Sequence, residues 1–570
     1  MKAETTPRIH ILFFVMLLFA IILVGRLFFL QIVHGQAYQE MADSQYMTSV
    51  PNIYERGSIF FQDRRGQTVS AATLKSGYLI SINPSIMENP EEAYEKIQKI
   101  IPLDKESFFA KAAKKEDPYE EIARRVAEET AFAVRDLEIP SVSIQKEKWR
   151  FYPAGKAAAH ILGFVGYSGD VLSGRYGLER YYNDVLTRAN ENLYVNFFAE
   201  IFSNITDSIL TSENSREGDL VLTIEYNVQL ALEATLAQVM KDWSSESVGG
   251  IIINPADGRV YAMASLPNFD PNLFQKEESL AVFGNPIAEN VYEMGSIIKP
   301  LTMAAALDTG AVTARTTYND KGYVNLDGYR IANYDGEARG VVSMQEVLNQ
   351  SLNTGVVFAE QKMGGEVFRS YMKAYGIDKE TGIEVPNETK GLTDNLESGR
   401  EVEYATASFG QGIAMSPIAT ARALSTLGNG GLLIEPYLVD RIEYKNGGSK
   451  KTYPDEGTRV LKKETSEEIT RMLVKVVDEA LLGGTVSLPR YSVAAKTGTA
   501  QIADPIRGGY YSDRYLHSFF GYFPAYNPQF LIFLYNVNPK EVRYASQTLT
   551  TPFIDLTKFL INYYEIPPDR

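Results

Sequence analysis

Ser296 and Lys299 stand three residues apart in the stretch Tyr292-Glu293-Met294-Gly295-Ser296-Ile297-Ile298-Lys299-Pro300. A hydroxyl beside a neutral amine is equipped for acyl transfer: the amine takes the hydroxyl proton and the oxygen attacks a carbonyl. Burial supplies the neutral amine, because the charged form of a lysine loses its water and its pKa falls. The residues that follow argue for burial. Pro300 is tolerated only in the first turn of a helix. Leu301, Met303, Ala304, Ala305, Ala306 and Leu307 leave that helix apolar on nearly every side, as in a core helix, and Gly310 can end it. Ser296 is then expected in the first turn, where free N–H groups and the dipole favour negative charge, with Lys299 on the same face within reach of its hydroxyl. The plainer alternative is a helix-capping serine and a solvated lysine. Ser143-Ile144-Gln145-Lys146 has the same spacing, so four residues do not decide the matter.

Two later stretches bear on it. Ser351-Leu352-Asn353 follows a capped helix opened by Ser343-Met344-Gln345-Glu346, and Lys496-Thr497-Gly498-Thr499 lies in a strand expected from Val493 to Ala500. Both short patterns recur elsewhere. Ser81-Ile82-Asn83 and Ser212-Glu213-Asn214 repeat the first, and Lys75-Ser76-Gly77 resembles the second. Those copies all precede residue 215 and lack the buried helix, capped helix and strand contexts.

The elements that must position these residues begin near Glu217-Gly218. A strand at Leu222-Thr223-Ile224 leads into an amphipathic helix from Val228 to Met240. Apolar strands at Gly249 to Ile253 and Arg259 to Ser265 are joined by a turn ending in Asp257-Gly258. Gly410-Gln411-Gly412 and Gly428-Asn429-Gly430-Gly431 bracket a helix over 417–427. Strands at Leu516 to Phe523 and Phe530 to Val537 precede a closing helix from Phe553 to Tyr563. Strands at both ends of a helical middle imply one α/β unit whose sheet mixes early and late strands. Residues 32–215 read as a separate mixed α+β domain, with charged, solvated helices at Glu91 to Lys99 and Lys105 to Lys115 and breaks at Asn83-Pro84, Asn89-Pro90 and Tyr152-Pro153.

Composition removes several classes of function. A net charge of −15 argues against nucleic acid, which wants a basic footprint. With no cysteine there is no disulfide, thiol catalysis or Cys-ligated zinc, and His10, His34, His160 and His517 have no metal spacing, so neither metal nor cofactor is expected. The length of 570 residues leaves ample chain for a large core. Ile9 to Leu30 is apolar but for His10 and Arg26. It spans about 22 residues, about 33 Å of helix, enough to cross a bilayer. Lys2 and Arg8 flank its N-terminal side and no small-x-small cleavage site follows. These features predict a cytoplasmic tail over 1–8, an uncleaved anchor over 9–31 and everything beyond outside the membrane.

The ordered set Ser296-x-x-Lys299, Ser351-x-Asn353 and Lys496-Thr497-Gly498 matches the one shared by class A β-lactamases and penicillin-binding proteins. From about residue 9 to its end the chain resembles a class B penicillin-binding protein, a monofunctional peptidoglycan D,D-transpeptidase. Arg26-Leu27-x-x-Leu30-Gln31, Arg56-Gly57-x-Ile59, Asp63-Arg64-x-Gly66, Arg150-x-Tyr152-Pro153, Ala159-His160-x-x-Gly163, Gly174-x-x-Gly177-x-Glu179, Gly410-Gln411-Gly412 and His517-Ser518-Phe519-x-Gly521 also fit that family. Arg65 stands where Asn is usual and Glu225 where Asp is common, both in structural boxes.

The resemblance implies a transpeptidase domain over 216–570, a central antiparallel sheet flanked by helices, on a dimerisation-like pedestal over 32–215. It implies a Ser296 acyl-enzyme formed from stem peptides ending in D-Ala-D-Ala, with release of D-Ala and resolution by the amine of a neighbouring stem. β-Lactams would acylate the same serine. Ser351 suits a second proton carrier toward the leaving amine, and Asn353 a holder of Lys299 and a substrate amide. Lys496, Thr497 and Thr499 offer a cation and hydroxyls to a carboxylate, and Gly498 lets substrate backbone approach. The N–H groups of Ser296 and Thr499 would form the oxyanion hole. The membrane and a separate glycan polymerase are the implied partners. A D,D-carboxypeptidase, or an inactive β-lactam-binding scaffold of the cell-wall machinery, remains the alternative.

Overall fold

The computed structural model describes residues 55–169, 171–188 and 217–570, with Phe13, Met16–Phe19 and Leu23 near the start. Most of the expected anchor over 9–31 lies outside the described residues. No helix among the described residues is long and apolar enough to cross a membrane.

The chain forms two compact units that cut across chain order. Among the described residues, one takes in Lys75–Trp149, the other residues 56–74, 150–169, 171–188 and 217–570. In the smaller unit, Tyr78 to Ile82 pairs antiparallel with the strand Glu120–Val126. The helices Pro90–Ile97 and Lys105–Ala112 begin where Asn89 and Asp104 accept the N–H groups of Glu92 and Ser107. These helices are not wholly solvated, as their charge suggested. Tyr94, Ile97 and Phe108 turn inward against Ile80, Ile82 and Val134. The charges occupy the outer face alone, which is the amphipathic pattern of a surface helix.

The larger unit is built on a five-stranded antiparallel sheet. Its order is Ala494–Ala503, Tyr510–Phe523, Phe530–Val537, Ser247–Ile253 and Val260–Leu266, so late and early strands do mix. Alternation sorts the side chains to two faces. Ile252, Phe519, Ile532 and Leu534 pack with Val228, Leu232 and Leu236 of the helix Tyr226–Asp242 and with Phe553, Leu556 and Leu560 of the helix Thr550–Tyr564. Ile251, Phe520, Tyr522 and Phe533 face the other way, into a helical body that includes the helix Lys299–Asp308.

Three of the short boxes in the N-terminal half meet in this unit around one buried carboxylate. Arg56 Nε and Arg150 Nε each donate to Glu179 at 2.6 Å, and Tyr152 Oη donates at 3.2 Å. Arg56 also donates to the Glu179 carbonyl at 2.7 Å, and Arg150 to the Gly57 carbonyl at 2.7 Å. Burial pushes the Glu179 pKa up, but the charges of Arg150 and Arg56 outweigh it and hold the carboxyl below its ordinary value. Removing the carboxylate takes its negative charge from between two guanidinium groups that are held out of water. Glu179→Ala is therefore expected to cost about 3–5 kcal/mol of unfolding free energy in denaturant titration. Glu179→Gln, which keeps one acceptor, costs less. A loss below about 1 kcal/mol for the alanine variant contradicts this role.

Candidate active site

Ser296 lies in a 3₁₀ turn, Gly295–Ile298, that runs directly into the helix Lys299–Asp308. Gly295 makes the entry possible. Its φ is +64°, and a β-carbon there would stand 3.0 Å from the Thr499 carbonyl oxygen. Its N–H donates to the Gly410 carbonyl at 3.0 Å, so the Gly410-Gln411-Gly412 loop backs the turn. Residues 299–306 of the helix are all buried, as the apolar run required. Ser296 is half-buried, and its hydroxyl makes no hydrogen bond among the described residues.

Lys299 turns instead toward Ser351. Lys299 Nζ donates to the Ser351 carbonyl and lies 3.2 Å from Ser351 Oγ. Lys496 reaches the same hydroxyl from the other side, 3.0 Å away, and donates to the Thr497 carbonyl at 3.2 Å. One serine oxygen thus sits between two lysines that are 0% and 3% exposed. Burial first, and then the charge of Lys496, hold Lys299 well below the ordinary lysine pKa. Burial brings Lys496 down to about 8. Burial thus works against the charged form of both lysines, and at Lys299 the neighbouring charge of Lys496 adds to it.

Ser351 can serve both lysines because its backbone is left-handed, with φ +55°. A non-glycine residue pays strain for that conformation, and strain of this kind gathers at functional sites. The N–H groups of Ser351 and Leu352 bond back to Leu348 and Val347, which holds the turn. Asn353 opens the next helix, Asn353–Met363. Asn353 Nδ2 donates to the Ala332 carbonyl at 2.8 Å, so the resting contact of Lys299 is Ser351 and not Asn353. A buried cluster stands behind it. Thr354 Oγ1 donates to Asp320 at 2.8 Å, and Asn333 Nδ2 reaches both Asp320 oxygens at 3.2 and 3.0 Å. Asp320 and Asn333 carry no motif, and nothing in their spacing marked them.

The strand Ala494–Ala503 forms the other wall. Thr499 Oγ1 accepts the Ala545 N–H at 3.1 Å. Gly498 is needed for the protein's own packing: a β-carbon there would stand 2.3 Å from Ser518 Oγ and 2.8 Å from the Met294 carbonyl. Ser518 donates to that same carbonyl at 2.7 Å, tying the sheet to the turn before Ser296. Glu293, another residue the motifs passed over, accepts the Gly412 N–H and the Tyr510 hydroxyl, each at 3.1 Å. Burial raises its pKa.

The look-alike motifs gather no such surroundings. Ser143 and Lys146 are exposed on a strand, as are Lys75 and Ser76. Ser212 to Asn214 fall outside the described residues. Among the described residues no group of His, Asp or Glu is arranged to hold a metal ion.

A sheet flanked by helices, with a serine at a helix start and a lysine-bracketed hydroxyl beside it, defines a serine-dependent acyl-transferring enzyme. The penicillin-binding protein transpeptidase domain model matches residues 248–556, and the penicillin-binding protein dimerisation domain model matches 53–208. The chain belongs to the penicillin-binding protein transpeptidase family. It is 30% identical to the stage V sporulation protein D of Bacillus subtilis over 97% of this chain and 85% of that one. It is 26% identical to the peptidoglycan D,D-transpeptidase FtsI of Buchnera aphidicola, over 98% and 95% of the two chains. Penicillin-binding protein 2X of Streptococcus thermophilus shares the fold, with a TM-score of 0.73 at 18% identity over 90% of this chain and 81% of that one.

Proposed function

We propose that Ser296 is the nucleophile of the transpeptidase reaction, with Lys299, Ser351 and Lys496 managing its protons. The chain is a serine-type peptidoglycan D,D-transpeptidase and binds β-lactams. What carries the residue assignment is the Ser351 hydroxyl held between two buried lysines beside the Ser296 turn. Neutral Lys299 takes the Ser296 proton as the oxygen attacks the carbonyl of the penultimate D-Ala. The N–H groups of Ser296 and Thr499 receive the oxyanion. Ser351, polarised by Lys496, hands its proton to the departing D-Ala nitrogen and is resupplied from Lys299. An amine of a second stem then attacks the ester, the same groups work in reverse, and Ser296 regains its proton.

Asn353 Oδ1, which has no partner among the described residues, is suited to accept a substrate amide N–H. Lys496, Thr497 and Thr499 take the donor's terminal carboxylate, with Gly498 keeping the strand close to the Ser296 turn. Residues 9–31 anchor the chain once in the bacterial membrane with its N-terminus inside. On this reading 32–215 form a pedestal and 216–570 the transpeptidase domain outside, where a membrane glycan polymerase delivers nascent strands.

Incubation with lipid-linked precursor and a glycan polymerase tests this directly. Cross-linked dimers of stems, with one D-Ala released per link, are the expected product by mass spectrometry. Trimmed stems without cross-links mean a carboxypeptidase, and intact stems with penicillin still bound mean a scaffold.

A further inference from the structure

His517 stands directly across from Thr499 in the antiparallel register of Ala494–Ala503 and Tyr510–Phe523. It is fully buried and no step of the reaction uses it. Both ring nitrogens are occupied by one short segment that follows the strand Phe530–Val537. Nε2 lies 3.0 Å from the Arg543 carbonyl and Nδ1 lies 2.9 Å from Thr548 Oγ1. A carbonyl only accepts, so Nε2 carries the hydrogen, and in the neutral ring Nδ1 accepts from the Thr548 hydroxyl at 2.9 Å, nearer than the Ala545 carbonyl that the same hydroxyl faces at 3.3 Å. Burial agrees with neutrality, holding the ring's pKa down at about 4.

The segment pinned at these two points carries Ala545, whose N–H donates to Thr499 Oγ1 at 3.1 Å. A hydroxyl has one hydrogen and two lone pairs. With a backbone N–H directed into one lone pair, the Thr499 hydrogen is free to point along the groove. Without it, the hydroxyl can turn and donate into its own surroundings. Arg543 is tied across as well, its Nη2 reaching the Tyr334 carbonyl at 3.4 Å, but His517 holds the segment from beneath at both ends.

We infer that His517 is a positioning residue for carboxylate recognition: by fixing Arg543 and Thr548 it sets the Ala545 N–H, which aims the Thr499 hydroxyl at the donor's terminal carboxylate. The inference rests on the reading that Thr499 binds that carboxylate.

The test uses thioester acyl donors ending in a free carboxylate and their carboxamide counterparts, with acylation followed across donor concentration. The acid is expected to be the better donor for the wild type, and Thr499→Val is expected to cut that preference by about 10- to 100-fold, the worth of one hydrogen bond to a charged group. His517→Ala is expected to remove a comparable share, chiefly by raising the donor concentration needed for half-saturation. Carboxamide acylation should change little. The double variant should discriminate no worse than Thr499→Val alone. His517→Gln, whose amide N–H can still reach the Arg543 carbonyl, should recover part of the preference. Thr548→Val, a milder change, should give an intermediate loss and carries the test if His517→Ala melts below assay temperature. Retention of the full acid preference in His517→Ala or Thr548→Val, or additive losses in the double variant, overturns the inference. Retention of it in Thr499→Val itself overturns the reading beneath.

Discussion

Lys299→Arg lowers the rate of acylation by penicillin about 10²–10⁴-fold, the usual worth of a positioned base. Arginine keeps the positive charge but cannot give up its proton in a protein. Lys299 is fully buried, has Lys496 across a shared hydroxyl, and is held well below its ordinary pKa by both burial and that charge. Those causes act against the ammonium form, so charge is not what the site is built to keep there. Stopped-flow acylation of a variant with an unchanged melting temperature measures the effect. A rate within about threefold of wild type would move the base role to another residue.

Ser351→Ala separates proton delivery from nucleophile activation. Among the described residues, Ser351 Oγ is the one atom that both buried lysines approach, at 3.2 and 3.0 Å. Its removal is expected to slow acylation by amide donors and penicillin about 10²–10⁴-fold, because a departing amine nitrogen must be protonated. Thioester donors, whose leaving group departs as a stable thiolate, should lose far less. Equal losses on amide and thioester would mean that Ser351 serves to hold the lysines in place and not to hand on a proton.

Much of this site could be read from the chain, and the reasons are local. Pro300 and the apolar run behind it fixed where a helix starts and that it is buried, which is what lowers the Lys299 pKa. The apolar run into Ala495 marked the strand that carries Lys496, Thr497, Gly498 and Thr499. What stayed hidden depends on residues far apart or on backbone angles. No pattern announces that Ser351 adopts φ +55°, yet that angle is why its carbonyl and hydroxyl both meet Lys299. Asp320 and Asn333 look like ordinary turn residues until Thr354 folds against them. Glu179 meets Arg56 from 123 residues away and Arg150 from 29, a convergence that chain order does not reveal. Gly498 was read as room for substrate, whereas the structure also shows it against Ser518 and the Met294 carbonyl. Charge alone made the helices Pro90–Ile97 and Lys105–Ala112 look solvated, because a few inward aromatics are outnumbered in sequence by the charges of the outer face.

The central claim is that Ser296 carries the acyl group. Labelling the purified protein with a fluorescent penicillin, digesting it and mapping the adduct by tandem mass spectrometry tests that claim most directly. The account predicts the adduct on Ser296, in the peptide that runs into Lys299, and none in Ser296→Ala. An adduct on Ser351 or Ser143, or undiminished labelling of Ser296→Ala, would contradict it.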